Sequence, residues 1–138
     1  MYSCPAYTYK GNWNCGKRHG KGEIIYDSGE AYKGDWQYDG YHGTGTAKYP
    51  SGEVYTGEWK DGKRNGSGKA KYPSGVVYEG NWKNSRYDHH GTLYFADGKK
   101  YIGLFRDGKF HRYGELIAPD GTIMSKGIWE NGFLIREE

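Results

Sequence analysis

Residues 55–77 read Y-T-G-E-W-K-D-G-K-R-N-G-S-G-K-A-K-Y-P-S-G-V-V, and the same pattern recurs through the chain. Trp13, Trp36, Trp59, Trp82 and Phe105 follow one another at 23-residue steps, and Trp129 arrives one residue late. Self-similarity at a fixed period marks a repeat array in which each unit buries its apolar side against its neighbours. The units run 9–31, 32–54, 55–77, 78–100 and 101–123, followed by a degenerate cap at 124–138.

Alternation over 54–59 predicts one strand and 66–72 predicts another, with Asp61-Gly62 in the loop between them. Pro73-Ser74-Gly75 turns the chain into the next unit, as do Ser28-Gly29, Ser51-Gly52, Asp97-Gly98 and Asp120-Gly121. No window carries a helical stripe. The expected fold is all-β: an elongated single-layer antiparallel meander of hairpins. About eleven strands at roughly 4.8 Å spacing give a length near 50 Å.

Side-chain parity sorts the residues. Tyr55, Gly57 and Trp59 share a face, and pairing of position 59 with 64 or 66 puts Gly66, Gly68, Ala70 and Tyr72 there too. With Tyr72 opposite Val76, Tyr78, Gly80 and Trp82 join them. Gly66 and Gly68 then lie between aromatic residues and leave room for the rings. Thr56, Glu58, Asn65, Ser67, Lys69, Lys71, Glu79, Asn81 and Lys83 fall on the opposite, wet face.

Composition supports a thin sheet. Of 138 residues, 35% are hydrophobic and 17% aromatic, with 24 glycines and 15 tyrosines. The formal charge is +3 with signs interspersed, which is no basic track for nucleic acid. No stretch nears the roughly 18 apolar residues of a membrane-spanning helix, and the opening Met-Tyr-Ser-Cys-Pro lacks a signal-peptide apolar run. Cys4 and Cys15 have no metal spacing and read as free thiols, with a disulfide between them the minor alternative. The apolar triplet Phe133-Leu134-Ile135 reads as an end cap, or alternatively as a self-association surface.

Catalysis is not expected. His19, His42 and His111 occupy equivalent places, so the nearest two stand about 9.6 Å apart, too far to share a metal. His89 and His90 point to opposite faces in a regular strand. The carboxylates fall in turns or on the wet face, and Gly-x-Gly precedes no helix. No cofactor and no metal are expected.

The residues resemble the MORN family, the membrane occupation and recognition nexus repeat, whose units read Y-E-G-x-W-x-x-G-x-x-H-G-x-G, an aromatic and a D/S-G turn. Tyr9, Gly11, Trp13, Gly16, His19, Gly20, Gly22 and Gly29 match. So do Tyr32, Gly34, Trp36, Gly40, His42, Gly43, Gly45 and Gly52, with the inner loop delayed by one residue and shortened. The pattern departs after residue 84: Ser85 replaces the loop glycine, Asp88-His89-His90-Gly91 replaces His-Gly-x-Gly, Phe105 replaces tryptophan, and Arg112 sits where Gly66 sits. By parity His89 and Arg112 project from the aromatic face and narrow its distal part.

The resemblance implies a twisted single-layer meander and a role as a protein scaffold or at membranes. The first expectation is a non-catalytic scaffold that holds a partner helix, an extended segment or a second copy in an aromatic groove. That groove comprises Tyr32, Trp36, Tyr49, Tyr55, Trp59, Tyr72, Tyr78, Trp82, His89, Phe105 and Arg112. A homodimer through the C-terminal repeats is a further partner the resemblance implies. The alternative is peripheral binding to anionic phospholipid, including phosphoinositide, through a hairpin edge of Lys17, Arg18, Lys63, Arg64, Arg86 and Lys109. The expected compartment is the cytoplasm, with cytoskeletal or membrane association.

Overall fold

The computed structural model describes residues 6–137. Cys4, and with it the disulfide alternative, lies outside them. Each of the first five units supplies one hairpin. The strands are β1 (Tyr7–Asn14), β2 (Lys17–Tyr26), β3 (Ala31–Gln37), β4 (Gly40–Lys48), β5 (Val54–Lys60) and β6 (Lys63–Lys71). They continue as β7 (Val77–Lys83), β8 (Arg86–Tyr94), β9 (Lys100–Arg106), β10 (Lys109–Ile117), β11 (Ile123–Glu130) and β12 (Phe133–Glu137). All twelve form one antiparallel sheet in chain order.

Two turn types alternate. The inner hairpin turns place two successive residues at positive φ, such as Asp61 (50°) and Gly62 (79°), the mirror-image turn whose twist suits adjoining strands. Unit two uses Tyr38 (49°) and Asp39 (65°) there, and unit four uses Asn84 (50°) and Ser85 (66°). Gly40 is therefore not the loop glycine: it is the first residue of β4, and the loop of unit two is neither delayed nor shortened. The outer turns close by a bond such as Tyr72 N to Val76 O at 2.9 Å, which is the pairing expected across Pro73-Ser74-Gly75.

Every inner hairpin carries a bulge. In β5–β6, Gly57 pairs with Gly68, but Trp59 pairs with Arg64, so the register slips at Glu58. The same slip recurs between Gly11 and Trp13, Gly34 and Trp36, and Gly80 and Trp82. A bulge leaves backbone groups unpaired, and Tyr-x-Gly-x-Trp supplies the remedy. The Tyr55 hydroxyl donates to Glu58 O at 2.9 Å, with counterparts at Tyr9, Tyr32, Tyr78 and Tyr101.

The tyrosine ring reaches that carbonyl by crossing the Gly57–Gly68 pair. A Cβ on Gly68 would run into the Tyr55 ring and hydroxyl. Trp59 then donates its indole N–H to Gly45 O at 3.1 Å, tying unit three to unit two. Trp36, Trp82 and Trp129 repeat this bond to Gly22, Gly68 and Gly114. Trp129 comes late because Met124 is an extra residue in β11: Leu116 pairs with Ser125 while Ile117 pairs with Ile123.

Candidate functional site

The aromatic face is a continuous layer one side chain thick. Tyr32, Tyr55, Tyr78 and Tyr101 are wholly buried, and Trp36, Trp59, Trp82 and Phe105 retain 3–5% exposure. A single sheet achieves this because Trp36, Trp59, Trp82 and Phe105 are each enclosed by rings of two units. Trp59 meets Tyr32, Tyr41 and Tyr55 edge-on with centroids 5.6, 5.2 and 4.9 Å away. Such edge-to-face contacts add to the burial of the rings.

One contributor was not apparent from the sequence. Nine residues after each unit's first tyrosine lies a slot directly opposite its Trp or Phe, filled by Arg18, Tyr41, Arg64, Tyr87 and Phe110. Tyr41, Tyr87 and Phe110 stack on Tyr32, Tyr78 and Tyr101 with centroids 3.8 Å apart. Arg64 does the same with a planar cation: its guanidinium lies 4.6 Å from the Tyr55 centroid and 5.1 Å from that of Trp82. Arg18 lies 4.8 Å from the Trp36 centroid. The available signal was the alternation of flat groups, cationic or aromatic, at one unit position.

These two arginines are also neutralised. Arg64 pairs with Glu53 at 2.8 Å, and Arg18 with Asp39 at 3.0 Å. The Arg18 backbone N–H and guanidinium both bond to Asp39 and hold its carboxyl below the usual range. Burial pushes the Tyr55 and Tyr101 hydroxyls up to about 12, and raises Tyr32, Tyr41, Tyr78 and Tyr87 as well.

Several expectations change accordingly. The rings of Tyr32, Trp36, Tyr55, Trp59, Tyr78, Trp82 and Phe105 form the interior of the layer, not the wall of an open groove. Of the expected groove aromatics, only Tyr49 and Tyr72 are half-exposed. They belong to a marginal row with Tyr26 and Phe95, all packed against the buried rings. Of the expected basic edge, Arg18 and Arg64 are folded over the rings, whereas Lys17, Lys63, Arg86 and Lys109 are exposed.

Gly66, His89 and Arg112 do not face the rings. Gly66 lies at the bulge with φ +92°, and its missing Cβ points at the Glu58 side chain on the wet face. His89 and Arg112 occupy the same place at φ 59° and 58°. The His89 ring lies 5.3 Å from that of His90, whose partner Leu104 faces away from Phe105. His89 and His90 are therefore neighbours, because the bulge breaks the alternation assumed for them.

The face expected to be wet is also not uniform. Through unit three its bulge row holds Asp35, Thr44, Glu58 and Ser67, but further along it holds Leu104, Tyr113 and Ile128, with Ile102 beside them. At the open edge only Leu134 caps, opposite Trp129, while Phe133 and Ile135 are 74% and 58% exposed. Among the described residues no three His, Cys, Asp or Glu side chains are grouped to hold a metal, and no helix is long and apolar enough to cross a membrane.

A one-layer ribbon of in-register hairpins, sealed by tyrosine over paired glycines, defines a repeat protein of the antiparallel β-meander class. The MORN repeat pattern matches residues 9–31, 32–54, 55–77, 78–100 and 101–123, and the chain belongs to the MORN repeat family. No curated protein matches the chain. MORN repeats are, in general, modules of protein or membrane interaction.

Proposed function

We propose that the protein is a non-catalytic scaffold that binds an apolar segment of a partner protein along the margin of its aromatic layer. The observation that carries this reading is the row Tyr26, Tyr49, Tyr72 and Phe95, half-buried and repeated once per unit. Members of the row stand two strands apart, about 9.6 Å. A partner helix returns its apolar stripe every seven residues, about 10.5 Å along its axis, so successive anchors meet successive rings.

Proximity labelling, followed by reconstitution with the dominant partner, tests the reading. Replacing Tyr49 and Tyr72 together by serine weakens capture in a protein that keeps its far-UV spectrum. Undiminished capture rejects the margin as the docking surface.

A second reading, peripheral attachment to an anionic membrane, draws on the exposed Lys17, Lys63, Arg86 and Lys109. Asp61 and Asp107 lie in the same hairpin turns and dilute the field that these residues project. Flotation with anionic vesicles at physiological salt separates the two readings.

A further inference from the structure

In units two and three the wet-face bulge is closed by the chain's own carboxylate. Asp35 accepts the Thr44 backbone N–H at 3.0 Å, and Glu58 accepts that of Ser67 at 2.5 Å. Gly43 and Gly66 hold left-handed φ of 67° and 92°, and an added Cβ at either would meet those carboxylate side chains. Unit five reverses both choices. Leu104 replaces the acid, no side chain among the described residues accepts from Tyr113 N, and Arg112 replaces glycine at a left-handed φ of 58°. Unit four shows the same reversal, with Asn81 for the acid and His89 for glycine at φ 59°. Non-glycine residues adopt this conformation at a cost, and two do so in adjacent repeats.

The replaced side chains meet in one cavity of about 440 Å³ between β8, β9 and β10, lined by His89, His90, Arg106, His111 and Arg112 over Leu104. Asp88 is its one carboxylate. Among the described residues, Arg18 and Arg64 form ion pairs, but Arg106 and Arg112 form none. Guanidinium groups offer several N–H donors each, and an imidazole offers at least one.

We propose that this cavity binds a phosphorylated side chain of a partner peptide, the phosphate taking the place that Asp35 and Glu58 fill in the earlier units. A phosphate dianion has enough acceptor oxygens for two guanidinium groups and the neighbouring imidazoles, more than a carboxylate offers. The flanking residues favour a peptide: Ile102 and Tyr113 lie exposed on the same face and suit apolar side chains beside the phosphorylated residue. The proposal rests on the scaffold reading but on a different face from the tyrosine margin.

The test uses a short phosphoserine peptide flanked by leucines, its unphosphorylated twin, and vesicles containing phosphatidylinositol 4,5-bisphosphate. The phosphopeptide shifts the Tyr113 amide resonance saturably and binds roughly tenfold or more tightly than its twin, as charge-assisted hydrogen bonds require. The double variant His89→Gly, Arg112→Gly restores the residue that earlier repeats carry and keeps the fold. It reduces phosphopeptide binding to the level of the twin without lowering the melting temperature.

Equal binding of the two peptides, or phosphopeptide binding unaffected by the double variant, overturns the proposal. So does capture of the vesicles in place of the peptide. A protein partner that depends on Tyr49 and Tyr72 but not on His89 and Arg112 refutes the phosphate site and leaves the scaffold reading intact.

Discussion

The guanidinium of Arg64 lies 4.6 Å from the centroid of the Tyr55 ring, in the place where Tyr87, one unit on, stacks on Tyr78 at 3.8 Å. An arginine and a tyrosine thus serve one packing role, covering the ring that crosses the glycine pair. In units two and three the slot residue also meets a glutamate of the preceding outer turn: Glu53 pairs with Arg64, and Glu30 accepts from the Tyr41 hydroxyl at 3.5 Å one unit earlier.

Arg64→Tyr is therefore tolerated, with stability within about 1 kcal/mol of the parent, whereas Arg64→Ala costs about 3 kcal/mol by exposing Tyr55 and leaving Glu53 unpaired. Urea denaturation monitored by tryptophan fluorescence measures both. Equal losses for the two variants contradict the stacking role.

The two kinds of glycine respond differently to alanine. At Gly68 an added methyl displaces the Tyr55 ring and breaks its hydroxyl bond, a cost of about 3 kcal/mol. At Gly62 nothing lies within 4 Å of the added carbon, and only the left-handed φ of 79° is penalised, about 1 kcal/mol. Denaturation midpoints at matched slopes rank them.

Much of this was legible in the sequence, and the reasons are specific. The 23-residue period located the first five hairpins, and parity placed Tyr55, Gly57, Trp59, Gly68 and Ala70 on one face. The sixth hairpin, β11–β12, lies in what read as a degenerate cap, so twelve strands form where about eleven were expected. Parity failed at Gly66, His89 and Arg112, because a bulge with positive φ turns the side chain without changing the residue count. It gave no warning that Arg64 is buried, since a cation is ordinarily assigned to solvent and planarity is invisible to an alternation rule. The groove failed for a further reason: the slot opposite each tryptophan or Phe105 is already filled, so the rings seal one another. The apolar turn of the wet face at Ile102, Leu104, Tyr113 and Ile128 was present in the residues, but units three and four had set the expectation.

Alkaline unfolding follows from the buried hydroxyls. Folded tyrosines with raised pKa values stay neutral while the unfolded chain ionises near pH 10, so stability is complete below that pH. It falls as pH rises from about 10 towards the folded values, which for Tyr55 and Tyr101 are about 12. Tyrosinate absorbance at 295 nm rises in two stages, exposed rings first, and the second stage coincides with loss of the far-UV signal. A single early rise with the sheet intact contradicts the burial.

The tryptophans divide unequally. Trp13, on β1, is 54% exposed, while Trp36, Trp59, Trp82 and Trp129 are 3–7% exposed. Iodide quenches one minor component of the emission, and Trp13→Phe removes that component.

The contact between Tyr55 and Gly68 tests the one-layer architecture most directly, by NMR. The account predicts strong cross-peaks from the Tyr55 ring to the Gly68 α-protons, which the ring current shifts upfield, with the same signature for Tyr32 on Gly45 and Tyr78 on Gly91. Gly68 α-protons at ordinary positions, without a cross-peak to Tyr55, would contradict it.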